Sequence, residues 1–194
     1  LGDYLDGWTK VGWVEPTRNN SIIDAGLARI DGVWHMWTKY ESRTGLFTSP
    51  DLEHWTDHGI LEDQPQNALN NVEGPYPFRW RDAWWMITDP HIGIQVYRSE
   101  DARQWEHRGT ILDKPGKRTL DRTLGRHASV AVVGERAFIV YHVEPFRPYP
   151  TPVPMPELPS AQKQCVLQIA ELELRPDGSV TCDRNRSAAL PLPE

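Results

Sequence analysis

Three ionisable residues that can transfer protons recur at matching places along the chain. Asp24, Glu73 and His127 lie seven, eight and seven residues before successive turn positions, at residues 31, 81 and 134. Two carboxyl groups held in different protonation states can act in general acid–base catalysis. A histidine is the side chain most easily tuned across neutral pH. Chemistry at these residues therefore depends on repeated elements that bring them together.

A repeat of 50 residues supplies such elements, because residues 22–61 align with residues 72–111 without gaps. The matched positions include Trp34 and Trp84, Met36 and Met86, Ser49 and Ser99, Asp51 and Asp101, Trp55 and Trp105, and Gly59 and Gly109. A third, weaker copy is centred on the turn Gly134-Glu135. A period of this length, rich in short strands, is typical of propeller blades. Since the first strand of a blade lies innermost, the pattern predicts an all-β propeller in which Asp24, Glu73 and His127 face one axial pocket.

Alternating apolar residues and turn signals predict the strands of each copy. In the first copy the strands are 22–30, 33–40, 44–49 and 55–61, with Asp31-Gly32 as a hairpin turn. The second copy repeats this pattern from 72 to 112. A polar loop, 113–126, leads to the third copy, whose later strands are 165–174 and 180–182. Residues 1–14 are interpreted as the end of a further blade and residues 15–21 as its connecting loop. The whole chain, 1–194, is predicted to be a single propeller domain that is partial in this sequence.

A Ser-x-Asp-x-x-x-Trp sequence occurs twice, at Ser49–Trp55 and at Ser99–Trp105. It resembles the Asp-box of sialidases, although it lacks the glycine of that motif and its tryptophan is one residue early. We expect a structural role, in which the serine and aspartate stabilise a tight turn and the tryptophan packs between blades.

The third copy is interrupted at residues 146–162 by a proline-rich insertion, with six prolines between residues 146 and 159. Such a segment favours extended polyproline conformation and cannot join the interior of a sheet. Two interpretations remain open for it: a passive surface loop, or a lid or intersubunit arm.

Composition excludes several classes of protein. The net charge is −6 and the basic residues are not clustered, so nucleic acid is not an expected partner. No stretch has the length of a membrane-spanning helix. The chain opens without a signal peptide, but a processed protein would also lack one, so both a cytoplasmic and a secreted location stay open. The two cysteines, Cys165 and Cys182, can pair or remain free and do not decide the compartment.

Residues 22–145 resemble the family 43 glycoside hydrolases and their five-bladed propeller relatives, which include family 117. The resemblance is carried by residues 23–34, which contain Asp24, by Val72-Glu73-Gly74-Pro75-Tyr76-Pro77-Phe78 and by Gly125-Arg126-His127-Ala128-Ser129-Val130. It implies a five-bladed β-propeller of glycosidase type with about three and a half blades in this chain. The remainder would lie in a missing N-terminal part, or a homo-oligomer would complete the ring.

In the resembled family three carboxylates act together: an Asp as general base, a second Asp that orients the acid and tunes its pKa, and a Glu as general acid. By motif, Asp24 matches the tuning role and Glu73 the acid, while the base would lie upstream of Leu1. Like-charge repulsion from Asp24 would raise the pKa of Glu73. His127 would contact the ligand or help to hold an axial ion; in family 117 a histidine is assigned the acid role. No cofactor is required by the resemblance, and a structural calcium ion on the axis is compatible with it.

Four further residues are candidates for contacts to substrate. Arg126 either binds a sugar carboxylate or hydroxyl or points away, because neighbouring strand residues alternate faces. Asp89 and His142 lie where strands end; Asp89 stands where the first copy has a lysine, which suggests a contact to a sugar hydroxyl. Asp121, in the loop before His127, is a candidate of the same kind. The spacing of the histidines matches no metal-binding signature, so no metal ligand is predicted.

The sequence therefore predicts an exo-acting, inverting glycosidase that cleaves a plant or algal polysaccharide or oligosaccharide. Exo action is expected because an axial propeller pocket accepts one terminal sugar. Two alternatives stay open: a carbohydrate-binding propeller without catalysis, and a partial propeller completed by oligomerisation.

Overall fold

The computed structural model describes residues 22–61, 72–148 and 154–191, which form three four-stranded antiparallel sheets. Sheet I contains β1 (Ile22–Ile30), β2 (Val33–Tyr40), β3 (Arg43–Ser49) and β4 (Thr56–Ile60); sheet II contains β5 (Glu73–Trp80), β6 (Ala83–Asp89), β7 (Ile94–Ser99) and β8 (Glu106–Ile111); sheet III contains β9 (Arg126–Val133), β10 (Arg136–Val143), β11 (Val166–Leu174) and β12 (Val180–Cys182). These bounds confirm the predicted strands of the three copies. The predictions for residues 1–14 and 15–21 lie outside the described residues.

The first two strands of every sheet are joined by a two-residue hairpin. In sheets I and II the first loop residue, Asp31 or Arg81, has a φ of 50° or 52°, and Gly134 in sheet III has a φ of 58°. Positive φ values at this point give the turn a twist that matches the right-handed twist of the flanking strands. The three turns from which the candidate residues were counted therefore share a positive φ at their first loop residue, and in sheet I the second residue, Gly32, also has positive φ.

In each sheet the strands follow one another in chain order, so the first strand lies at one edge. The first strands contact each other between sheets: β1 lies against β5, and β5 against β9. This is the arrangement of adjacent propeller blades, whose innermost strands surround an axis. Residues at the beginning of these three strands are consequently brought close together.

Apolar side chains between the sheets hold this arrangement. Sheets II and III share the largest cluster, which includes Trp85 and Tyr141, and a second cluster contains Trp37 and Trp105. The rings of Trp37 in sheet I and Trp105 in sheet II meet edge to face, with centroids 6.0 Å apart. Each buried aromatic side chain contributes about 1.5–3 kcal/mol relative to an exposed one. The predicted packing of Trp105 between sheets is confirmed.

The repeated Ser-x-Asp sequence forms the expected turn. Asp51 Oδ1 accepts hydrogen bonds from the backbone nitrogens of Glu53 and His54, at 2.9 and 2.8 Å. Asp101 Oδ1 repeats the pattern with the backbone nitrogens two and three residues further on, at 2.8 and 2.9 Å. The motif is therefore a structural connection between the third and fourth strands of a sheet.

Of the proline-rich insertion at 146–162, residues 146–148 and 154–162 are described. Two short 3₁₀ helices, Met155–Glu157 and Ser160–Lys163, follow one another there, and Leu158 between them is buried. Cys165 and Cys182 are free thiols. No helix within the described ranges is long and apolar enough to cross a membrane.

Candidate active site

A distorted residue opens the first strand of every sheet. Asp24, Gly74 and His127 all have positive φ, at 58°, 53° and 36°, and each lies seven residues before its hairpin turn. The pairing of the first two strands shifts register at the same place in all three sheets. Such a bulge bends the strand and redirects its side chains. Glu73 lies eight residues before its turn because glycine occupies the bulge position in sheet II and the glutamate directly precedes it.

The bulges bring the three predicted residues together. One ligand atom each of Asp24, Glu73 and His127 lies within 4.8 Å of the others, and Asp24 Oδ1 is 4.0 Å from His127 Nε2. Each residue comes from a different sheet. Gly74 permits the close approach, because a Cβ at this position would lie 3.0 Å from His127 Nε2. The side chains of Asp24, Glu73 and His127 retain 21%, 23% and 42% of their exposure, so a ligand can reach them.

Lys39, at the end of β2, is the residue that most directly controls Glu73. Its Nζ donates to Glu73 Oε1 at 2.5 Å, and His91 Nε2 lies 3.4 Å from Oε2. Burial raises the pKa of Glu73, but the hydrogen bond from Lys39, the nearby His91 ring and the charge of Lys39 outweigh it, so the pKa lies below the ordinary value of 4.5. The predicted rise of this pKa through Asp24 is therefore wrong, because a closer cation dominates.

Asp89 positions other residues of the site. It is 1% exposed; Oδ1 accepts a hydrogen bond from the backbone nitrogen of His91 at 2.7 Å, and Oδ2 accepts from Arg126 Nε and the backbone nitrogen of His127, both at 2.9 Å. A buried carboxylate with both oxygens occupied is not available to a sugar hydroxyl. We therefore replace the predicted sugar contact of Asp89 with a positioning role, which fixes the backbone at the His127 bulge.

Arg126 connects Asp89 with His91. Besides its bond to Asp89, Arg126 Nη2 donates to Nδ1 of His91. Because an arginine has only donors, Nδ1 is the acceptor, and the proton of a neutral His91 ring lies on Nε2, the atom nearest to Glu73. Of the two predicted orientations of Arg126, the structure has the one toward the site. Lys39 and His91 were not among the predicted site residues.

His142 lies on β10, opposite Arg126. Its Nε2 is 3.9 Å from Glu144 Oε1, and burial, the largest influence, lowers the pKa of the His142 ring. A neutral ring can accept or donate a hydrogen bond, but no contact tests the predicted role of His142 in substrate binding. Asp121 is 0% exposed and is bound by Arg184, Arg118 and Tyr141, so it lies outside the site.

Two groups of described residues could hold a metal ion. Each brings three ligand atoms within 4.8 Å: Asp24, Glu73 and His127, and His142, Glu144 and Cys165. Lys39 already neutralises one carboxylate of the first group, and Arg147 neutralises that of the second. Calcium takes six to eight oxygen ligands, so the first group would supply only part of its shell. The calcium ion compatible with the family resemblance remains a prediction.

No family model and no curated protein matches this sequence. Three solved structures share its fold. An endo-arabinase from Bacteroides thetaiotaomicron VPI-5482 has a TM-score of 0.57 and 10% identity, and the match covers 85% of this chain and 54% of that chain. A thermostable family-43 glycoside hydrolase has a TM-score of 0.56 and 13% identity, with 81% of this chain and 49% of that chain covered, and Zg3597, a family 117 glycoside hydrolase from Zobellia galactanivorans, has a TM-score of 0.57 and 10% identity, with 84% and 55% covered. This chain spans about half the length of each. The predicted all-β fold of glycosidase type is confirmed, and the five-bladed count stays a prediction; identities this low establish the fold alone.

Proposed function

We propose that this chain belongs to a glycoside hydrolase that is exo-acting and inverting, acts on a plant or algal polysaccharide or oligosaccharide, and has a five-bladed propeller. The observation that carries the proposal is the convergence of Asp24, Glu73 and His127 from three sheets within 4.8 Å of one another. The fold shared with solved glycosidases supports the same reaction class.

The spacing of the carboxylates supports distinct roles for them. Acid and base of an inverting glycosidase lie roughly 6.5–9.5 Å apart, with room for a water molecule. Oxygens of Asp24 and Glu73 lie within 4.8 Å, which is too close for that pair. In our proposal Glu73 is the acid, Asp24 is its neighbouring carboxylate, and the base is a third carboxylate on a blade that precedes sheet I.

The proton needed for bond cleavage resides on Glu73. Protonated Glu73 gives its proton to the glycosidic oxygen as the bond to the sugar breaks, and becomes the ionised form that Lys39 stabilises. His127, next to Glu73, contacts the sugar, and Asp89 holds His127 and Arg126 in place. Because the pKa of Glu73 is lowered, this role is confined to acidic pH.

The Lys39–Glu73 ion pair also favours a second candidate, a carbohydrate-binding propeller without catalysis. In that case Glu73 stays ionised and accepts hydrogen bonds from sugar hydroxyls. A partial propeller completed by another copy of the chain is compatible with either candidate, and the mass in solution distinguishes it.

A hydrolysis assay on a panel of nitrophenyl glycosides and oligosaccharides, between pH 4 and pH 7, tests the proposal. We expect turnover by the protein that includes the blade supplying the base, and Glu73→Gln should reduce it by about 10²–10⁴-fold, the usual contribution of a general acid. Sugar binding should persist in the variant, because its amide keeps the shape of the carboxylate. Binding without turnover by the wild type would favour the non-catalytic candidate.

A further inference from the structure

A second pocket opens directly beside the candidate acid. It has a volume of about 300 Å³ and is lined by apolar residues, among them Pro115, Leu124 and Pro148, together with charged ones. Its volume is at the small end of ligand-binding sites, and mixed apolar and polar walls are usual for them. Such walls suit a sugar ring, which has apolar C–H faces and polar edges.

Arginines dominate the charge of this pocket. Arg122, Arg126 and Arg147 line it, against one acidic residue, Glu144. Glu144 is neutralised by its ion pair with Arg147, and Arg126 is paired with buried Asp89. Arg122 is exposed and has no acidic partner among the described residues. The pocket therefore presents one uncompensated positive charge.

Arg147 adds an unused donor to the same wall. Its Nε is buried and has no hydrogen-bond acceptor within the described part of the chain. A buried donor without a partner destabilises the fold, and a ligand oxygen that paired with it would relieve that cost. Arg122 and Arg147 thus both line the pocket and have N–H groups without an acceptor among the described residues, and guanidinium groups match the geometry of carboxylates well.

The pocket borders the candidate active site at His91 and Arg126. Both residues line it, and His91 Nε2 lies 3.4 Å from Glu73 Oε2. A sugar that occupies the pocket is therefore separated from Glu73, the group that would donate the proton, by the His91 side chain. The loops on either side are joined by a hydrogen bond from the backbone nitrogen of Glu144 to Thr123 Oγ1, at 3.2 Å.

We propose that this pocket binds an acidic sugar of the uronic acid class, with Arg122 and Arg147 as the groups that recognise its carboxylate. The proposal rests on the proposed function, and it deepens it by naming the substrate class. A neutral sugar of the same configuration would leave the charge of Arg122 and the Nε of Arg147 without a partner. Selection against neutral sugars follows from that difference.

Binding of two matched sugar pairs, measured by calorimetry or ligand-observed NMR on the full chain, tests the proposal. The probes are galacturonic acid with galactose and glucuronic acid with glucose, which differ only in a carboxylate or a hydroxymethyl group. We expect at least one acid to bind about tenfold more tightly than its neutral partner. Arg122→Gln should remove most of this preference.

Arg79→Gln is the matched control. Arg79 is exposed, stacks on Trp84 and lies six residues from Glu73 on the same strand, a separation of about 20 Å. The control should keep the full preference. Equal affinity for acidic and neutral sugars, binding of neither acid, or an unchanged preference in Arg122→Gln would overturn the proposal.

The outcomes separate this inference from the proposed function. Binding of a uronic acid that depends on Arg122, without hydrolysis of any glycoside, would support the acidic-sugar pocket and contradict the proposed glycosidase activity. Hydrolysis of neutral glycosides, with no preference for acidic sugars, would support the proposed glycosidase activity and contradict the acidic substrate class.

Discussion

The protein contains two clusters of charged side chains that differ in what surrounds them. In the closed cluster, Asp121 accepts hydrogen bonds from Arg184 at both oxygens, from Arg118 at 2.9 Å and from Tyr141 at 3.0 Å. Asp121, Tyr141 and Arg184 are all buried. This network attaches the segment that follows β12 to the loop between β8 and β9.

The open cluster is the candidate active site. In this cluster Glu73 is partly exposed and forms an ion pair with one cation, Lys39. The side chains of Asp24 and His127 are exposed enough for a ligand to contact them. Only Asp89, behind them, is as buried as Asp121. A buried, fully satisfied carboxylate stabilises the fold, whereas exposed carboxylates on distorted backbone are available for chemistry.

The largest expected difference between the clusters is in stability. Asp121→Asn leaves the buried Arg184 without a counter-charge and removes the partner of the partly exposed Arg118, and it should lower the free energy of unfolding by about 3–5 kcal/mol. Asp24→Asn should change it by within about 1 kcal/mol, because the site is open and asparagine tolerates positive φ. Denaturant unfolding of both variants measures the contrast, and equal losses would contradict it.

The pH dependence of Asp121→Asn gives a sharper control. Burial raises the pKa of Asp121, but hydrogen bonds from Arg184 and Arg118 outweigh it and lower the pKa below 3.8. A lowered pKa in the folded state gives stability that is present above the unfolded-state pKa and is lost as the pH falls through the folded-state value. The stability gap between wild type and variant should therefore be full near pH 7 and shrink below about pH 4.

A smaller effect is expected from the bulge that opens the site. Gly74→Ala places a side chain at a φ of 53° and within 3.0 Å of His127 Nε2. Strain at such a backbone costs about 1–3 kcal/mol. Displacement of His127 should add a loss of turnover of roughly tenfold to hundredfold, since small errors in position are costly in catalysis.

Gly134→Ala separates strain from displacement. Gly134 has nearly the same φ, 58°, but a Cβ there has no neighbour within 4 Å. It should lose similar stability and keep its activity and ligand affinity. If both variants lose turnover equally, the contact between residue 74 and His127 has no functional meaning.

The repeat made much of the fold predictable. Matched tryptophans and turn residues at a period of 50 placed the strands, because alternation and hairpin signals act locally along the chain. The same counting placed Asp24 and His127 on equivalent positions. It also placed Glu73 one residue off, a difference that has a structural cause in the bulge at Gly74.

The partners of the site residues could not be predicted in the same way. Lys39 and Asp89 occupy the same repeat position, yet one reaches across to Glu73 and the other is buried under Arg126. The contact between Lys39 and Glu73 spans 34 positions of the chain, and the contact between Asp89 and Arg126 spans 37. Both contacts depend on how neighbouring sheets pack. Asp121 shows the same limit, because a loop aspartate gives no sign in the sequence that it will be buried.

The smallest expected effect, and the one that addresses the chemistry most directly, concerns Lys39. Lys39→Met removes the hydrogen bond and the charge that lower the pKa of Glu73, so burial should then raise it. A general acid is active when protonated, and its activity declines as the pH rises through its pKa. The alkaline limb of the pH–rate profile should therefore move to higher pH in the variant, with little change in stability.

The exposed Lys117 supplies the control, because Lys117→Met changes the net charge equally without touching Glu73. Its profile should match that of the wild type. An alkaline limb that stays in place in Lys39→Met would mean that Glu73 is not the titrating acid. Loss of sugar binding in Lys39→Met, without a shift of the alkaline limb, would mean that Lys39 binds the sugar directly, and it would favour the non-catalytic candidate.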